Sequence, residues 1–175
     1  MTAHAAGPTD AAAPRLRVAV TGASGRMGRA LIDAIGAHSD LVLAGALDAP
    51  GSPALGEPAL AAAHDTSAVI VTADLRAGLA DAQVLIDFTR PEGTLAHAAL
   101  CRELGIKMVI GTTGFSEAQK AAIAEHARHI AIVMAPNMSV GGNVVLKLLE
   151  TAARTADDGL DVEIVEAHHR HKIDA

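Results

Sequence analysis

The chain has 175 residues, a formal net charge of −6 and a hydrophobic share of 50%. That length allows one packed domain, or one domain and part of another, and the balance of 20 Asp plus Glu against 14 Lys plus Arg argues against a nucleic-acid surface. A single cysteine, Cys101, excludes an internal disulfide framework, and no apolar run reaches the roughly 20 residues that span a bilayer.

With two Phe and no Trp or Tyr, the core has to be built from Ala, Val, Ile and Leu. Residues 1–15 have neither the basic start nor the apolar centre of a signal peptide. They read as a disordered leader, with the cytoplasm as the compartment. Arg15 to Thr21 is a β-branched run that ends in glycines, a strand signal. Arg26 to Ala37 carries apolar residues at 27, 31, 32 and 35, which is helical spacing. Leu41 to Leu47 is a second buried strand that closes on Asp48. Residues 49–63 are rich in Pro, Gly and Ala and read as a loop, with room for a short helix.

Val69 to Thr72 predicts a small strand, Leu75 to Leu79 a short helix or turn, and Val84 to Phe88 a further strand. Pro91 to Leu104 predicts a helix, with Pro91 and Glu92 suited to its first turn. Cys101 falls inside it and reads as a packed residue. Lys107 to Ile110 is a strand running into Gly111-Thr112-Thr113-Gly114. Ser116 to His129 is a helix with Ser116 as its cap. Ile130 to Met134 is a strand closed by Ala135-Pro136-Asn137, and Gly141 to Ala156 is a helix. Asp161 to His168 alternates polar and apolar, as a half-buried antiparallel strand does.

Strands alternating with helices imply an α/β fold: a Rossmann-like, doubly wound parallel sheet covered on both faces. The pattern changes near residue 135. The expected organisation is a dinucleotide-binding domain over 16–135, then the start of a second, α+β substrate domain over 136–175.

Three places carry the chemistry. In Gly22-Ala23-Ser24-Gly25-Arg26-Met27-Gly28 a strand enters a glycine turn and the turn opens a helix. The unpaired N–H groups of a helix start bind a diphosphate when glycine lets the backbone come close. The spacing is Gly-x-x-Gly-x-x-Gly, a weak signal made stronger by its place on the first strand–helix junction. Asp48 ends the second strand, where an acid reads ribose hydroxyls; a solvated turn residue is the plainer alternative. Ala49 leaves no cation beside it for a 2′-phosphate, although Arg26 offers one from the turn, so NAD(H) and NADP(H) both stay open. The strand ends Asp87-Phe88-Thr89, Gly111 to Gly114 and Ala135 to Met138 fall on the same side, where ligands of such sheets bind.

The third place is Glu166-Ala167-His168-His169-Arg170-His171-Lys172-Ile173-Asp174-Ala175, in which five of ten side chains can be cationic. The cluster suits an anionic substrate and proton transfer. A metal site and a solvated strand end are the two other readings. Arg170 and Lys172 among the imidazoles weigh against a bound cation, so no metal is assigned.

The segments VAVTGASGRMGR, IDFTRPEG, VIGTTGF, APNMSVGGN and EAHHRHKIDA, in this order, resemble 4-hydroxy-tetrahydrodipicolinate reductase, also called dihydrodipicolinate reductase, over residues 16–175. The resemblance implies NAD(P)H-dependent reduction of a cyclic dicarboxylate in lysine and diaminopimelate biosynthesis. It assigns Gly22, Ala23, Ser24, Gly25, Arg26 and Met27 to the cofactor phosphates and Asp48 to its ribose. It assigns Gly111, Thr112 and Thr113, with Ala135, Pro136, Asn137 and Met138, to the nicotinamide side. His168 becomes the proton donor or acceptor, Lys172 a second proton donor and His169 a substrate contact. Many members carry Arg where this chain has Ala49. Members also continue past Asp174-Ala175 into Pro-Ser-Gly-Thr, which grips the substrate carboxylate, and form homotetramers. The expectation is therefore a truncated chain that binds cofactor with little turnover. Two other classes compete: a non-catalytic nucleotide-binding regulatory module, and another amino-acid-pathway dehydrogenase. His168, His169 and Lys172 in one run speak against the first.

Overall fold

A computed structural model of the chain describes residues 14–59, 69–156, 161–165 and 167. The chain divides into two compact units between Pro136 and Asn137. The first unit holds β1 (Leu16–Thr21), α1 (Arg26–Ala37), β2 (Leu41–Leu47), β3 (Val71–Thr72), α2 (Leu75–Leu79), β4 (Val84–Asp87), α3 (Pro91–Leu104), β5 (Lys107–Ile110), α4 (Glu117–His126) and β6 (Ile132–Met134). The six strands are parallel, in the order β3-β2-β1-β4-β5-β6. The chain therefore leaves β1 towards β2 on one side, and returns to β4 on the other. Such a reversal opens a crevice at the carboxyl ends of β1 and β4.

Alternation along each strand feeds two cores. On one face Val18, Val20, Leu43, Ala46 and Val71 meet Ile32 and Ile35 of α1. On the other, Ala19, Leu85, Met108 and Ile110 meet Leu79 of α2, Ala98 and Cys101 of α3, and Ile123 of α4. Cover on the α1 face thins towards β6, where Val133 is 59% exposed.

Local chemistry sets most element ends. Pro91 occupies the first turn of α3 with Glu92 beside it, and Gly105 closes the helix at φ +72°, a left-handed turn that suits glycine. Ser116 caps α4 with a full capping box: its hydroxyl accepts from Gln119 N–H and the Gln119 side chain accepts from Ser116 N–H. The helix stops at His126, short of His129, because the following N–H groups turn to carbonyls three residues back, as in His129 to His126. β3 is shorter than its apolar run: Val69 and Val71 instead exchange bonds with Ala59 and Glu57 around an antiparallel bridge between Pro58 and Ile70.

The second unit contains α5 (Val140–Thr155), capped by Ser139, whose hydroxyl accepts from Gly142 N–H. That cap moves the helix start one residue ahead of Gly141. Val144, Val145, Leu148 and Leu149 are exposed on α5. The strand expected over Asp161 to His168 is corrected where the structure describes it: residues 161–165 are irregular and exposed, with Val162, Ile164 and Val165 open to solvent, while Glu166 and His168 lie outside the described residues. Alternation makes a strand only where a neighbouring strand takes its backbone bonds, and among the described residues none pairs with it. No helix among the described residues is long and apolar enough to cross a membrane.

Candidate functional site

A cavity of about 890 Å³ opens at the carboxyl ends of β1, β2 and β4, within the range of about 300–1,000 Å³ typical of small-molecule sites. One wall is the β1–α1 turn with Thr21, Gly22, Ser24 and Gly25; Asp48 and Ala49 flank it at the end of β2. The opposite wall is Phe88, Thr89, Arg90, Gly93 and His97, from the β4–α3 junction.

The glycine turn is shaped for close approach. Gly22 has φ +68°, and its carbonyl accepts from Gly25 N–H at 2.9 Å. A Cβ on Gly28 would fall on that carbonyl oxygen. Gly25 opens α1 without a side-chain cap, and no acidic residue occupies the first turn. The N–H groups of Arg26, Met27 and Gly28 thus begin the helix with no acceptor among the described residues. Backbone donors, a helix dipole and the lack of an acidic residue in the first turn of α1 fit an anion such as a diphosphate.

Asp48 is half-buried at this turn. Its Oδ2 accepts from Ser24 N–H at 2.9 Å and its Oδ1 from Ala49 N–H at 2.8 Å. Burial pushes the carboxyl pKa up. Donors on Ser24, Ala49 and Ser52 outweigh it and hold the group below its ordinary 3.8. The carboxylate is therefore ionised at neutral pH and keeps lone pairs for a further donor.

Asp87, at the end of β4, is fully buried. Its Oδ1 accepts from Thr89 hydroxyl at 2.7 Å and from Thr89 N–H at 3.0 Å; its Oδ2 meets His97 Nδ1 at 2.7 Å. Burial again raises its pKa. The bonds from His97 and Thr89, the charge of His97 and the nearby Thr21 hydroxyl reverse that and leave it below 3.8. Cys101, by contrast, is pushed up to about 12, first by burial and then by the negative charge of Asp87. A thiol so held is a packing group, not a nucleophile.

The sequence candidates divide accordingly. Gly22, Ser24, Gly25 and Asp48 line the cavity; Ala23 turns into the core, and Arg26 and Met27 are exposed at the start of α1. Gly111, Thr112 and Thr113 are not in the lining. A Cβ on Gly111 would enter the Phe88 ring, so packing alone demands that glycine. Thr112 is buried, accepting from Thr89 N–H and Thr94 hydroxyl at 3.0 Å each. Ala135 and Pro136 follow β6 in the first unit, whereas Asn137 and Met138 belong to the second. His168, His169 and Lys172 lie outside the described residues. Arg90 and Gly93 fall within IDFTRPEG but received no role from the sequence, and His97 lies outside the quoted segments; their i, i+3, i+7 spacing from a strand end is the signal that marks one helix face turned to the cavity.

Residues 16–138 match the family described as "Dihydrodipicolinate reductase, N-terminus" and residues 141–175 the one described as "Dihydrodipicolinate reductase, C-terminus". The chain is 60% identical over 160 residues to 4-hydroxy-tetrahydrodipicolinate reductase of Cupriavidus pinatubonensis, covering 91% of this chain and 60% of that protein. It is 59% identical over 160 residues to the enzyme of the same name from Aromatoleum aromaticum, covering 91% of this chain and 58% of the relative. The chain thus spans about three fifths of the length of these relatives. Among solved structures, a dipicolinate-bound dihydrodipicolinate reductase from Paenisporosarcina sp. TG-14 superposes with a TM-score of 0.65 at 26% identity, over 79% of this chain and 54% of that one.

Proposed function

The chain belongs to the dihydrodipicolinate reductase family, and from that premise we propose that the protein reduces 4-hydroxy-tetrahydrodipicolinate to tetrahydrodipicolinate with NADH or NADPH, in lysine and diaminopimelate biosynthesis. The observation that carries the cofactor half is the β1–α1 turn, where Gly22 and Gly28 bring open backbone donors to the edge of a cavity bounded by Asp48.

Bound there, a reduced nicotinamide supplies a hydride. The chain's own residues do the rest. The turn from Gly22 to Met27 holds the diphosphate on backbone N–H groups. Asp48 accepts from ribose hydroxyls while Ser24 and Ala49 fix its carboxylate. Ala49 puts no charge beside that ribose and Arg26 stands exposed at the turn, which supports use of either nucleotide. Gly111, Thr112, Thr113 and Ala135 to Met138 take the nicotinamide side. His168 and Lys172 deliver the proton that the reduced ring requires, and His169 pairs with a substrate carboxylate. These last roles rest on the resemblance of EAHHRHKIDA. The same reading gives a cyclic dicarboxylate as substrate, the cytoplasm as compartment, no nucleic-acid or membrane partner, and a homotetramer as the assembly.

Calorimetric titration with NADH and NADPH tests the reading. Binding of at least one, with a matching rise in Tm, is the expected result. A chain that binds neither overturns the cofactor assignment.

A further inference from the structure

Thr112 stands on the nicotinamide side of the proposed site, yet its hydroxyl has no capacity left for a ligand. A hydroxyl donates once and accepts twice. Thr112 Oγ1 accepts from Thr89 N–H and from the Thr94 hydroxyl at 3.0 Å each, and its own proton is directed at Asp87 Oδ1, 3.5 Å away. The residue is also only 5% exposed. The backbone beside it is different. Gly111 N–H donates to the Asp87 carbonyl at 2.9 Å, which pins the start of the loop. The N–H and C=O groups of Thr112 and Thr113 have no partner among the described residues. A carboxamide both donates and accepts, so open backbone groups of both kinds complement it. The loop lies directly behind the cavity wall, because Gly111 packs on the ring of Phe88 and Phe88 lines the cavity.

We propose that Asp87 is a positioning residue for the nicotinamide: through Thr89 and Thr112 it holds the backbone of Gly111 to Thr113 in place for the carboxamide, without touching the cofactor itself. The inference rests on the cofactor reading above and deepens it. Asp87 is fully buried, and both its oxygens are committed. Oδ1 takes the N–H and hydroxyl of Thr89 as well as the Thr112 proton, and Oδ2 meets His97 Nδ1 at 2.7 Å. What it does to a ligand therefore passes through its partners. The loop after β5 has no ladder of its own to stiffen it. Thr112 bonds it to Thr89 at the end of β4 and to Thr94 in the first turn of α3, and one carboxylate anchors that group. Such bonds strengthen one another, so the loop cannot shift without breaking several together.

ADP-ribose separates this from a purely structural role, since it keeps the diphosphate and adenosine of NADH and lacks the nicotinamide. Both are titrated into each variant, and the ratio of their affinities is the readout. A general loss of folding weakens both alike, whereas a displaced loop weakens NADH alone. Thr112→Val keeps the shape and removes the hydroxyl; it is expected to bind NADH about tenfold more weakly, the loss of roughly one hydrogen bond, with ADP-ribose affinity within about twofold of wild type. Thr112→Ser restores the hydroxyl and is expected to bind NADH as the wild type does. Asp87→Asn, a weaker acceptor, is expected to lose NADH affinity selectively in the same direction, and it decides on the same ratio if Thr112→Val does not fold. A ratio unchanged in these variants, or Thr112→Ser as weak as Thr112→Val, overturns the inference while leaving the cofactor reading intact. A wild-type chain that binds none of NADH, NADPH and ADP-ribose overturns both.

Discussion

Two corners of the sheet's open end, the β1–α1–β2 corner and the β4–α3–β5 corner, face each other across one cavity and are built by different means. The first is made of backbone. Gly22 bends at positive φ, Gly28 packs against its carbonyl, and the one carboxylate there, Asp48, is braced by main-chain N–H groups. The second is made of side chains. Asp87 is sealed, and Thr89, Thr112, Thr94 and His97 close on it in a chain of hydrogen bonds. Both acids end up ionised against the pull of burial. The difference is in what remains free: the first corner offers backbone donors to a ligand, while the second uses its side-chain donors on itself and turns the rings of Phe88 and His97 to the cavity.

Glycine substitutions should show the contrast most strongly. Ala at position 28 drives a Cβ into the Gly22 carbonyl and the Ala23 backbone, which have nowhere to go. The helix propensity gained, about 1 kcal/mol, is smaller than the overpacking cost of about 3 kcal/mol. Gly28→Ala is therefore expected to lower stability by about 2 kcal/mol or more in denaturant unfolding, and to abolish nucleotide binding. Gly111→Ala meets the ring of Phe88 rather than backbone. A ring at a cavity edge can rotate, so a loss of about 1 kcal/mol is expected. Equal losses from the two variants would show that the second corner is as rigid as the first.

Acid comes next. A carboxyl whose folded pKa lies below its unfolded value contributes stability at higher pH. That contribution is complete above about the ordinary 3.8 and lost as pH falls through the lower folded value. Unfolding free energy should thus decline below pH 3.8. Asp87→Asn should flatten that decline, having already lost the contribution at neutral pH; an acid limb identical to wild type would remove Asp87 from the account. The smallest stability effect belongs to Asp48→Ala. Ser24 and Ala49 N–H groups lie at a cavity edge where water can replace the acid, so about 1 kcal/mol or less is expected. Nucleotide affinity should still fall, since the ribose acceptor is gone. A stability loss matching that of Gly28→Ala would mean that Asp48 is chiefly a brace for the turn.

Much of the first unit was readable from residue order. Pro91, Glu92 and Gly105 mark α3, Ser116 and Gln119 mark the start of α4, and the β-branched runs mark the strands, because each signal acts over a few residues. Asp48 was legible for the same reason, as an acid at a fixed distance from a glycine turn. His97 was not. It sits mid-helix in an Ala-rich segment, and its partner is ten residues away at the end of another element. Gly111 was legible as a glycine but not for its cause, since the ring that requires it comes from β4's end. The alternation from Asp161 was legible as a pattern and still gave no strand over the described residues 161–165, because a period of two says nothing about whether a neighbour is there to bond.

The sequence by itself determined the strand–helix alternation, the helix caps, the glycine turn with Asp48, and the family through EAHHRHKIDA and its companion segments. All of these are set by contacts within a turn or two of chain, or by residue identity alone. Only the tertiary structure decided that β4 lies beside β1, that Asp87 is sealed with His97 against it, and that Phe88 and His97 face the glycine turn across a shared cavity. Burial, and the meeting across one cavity of walls far apart in the chain, depend on strand order, and strand order is fixed when two apolar faces close over the whole sheet.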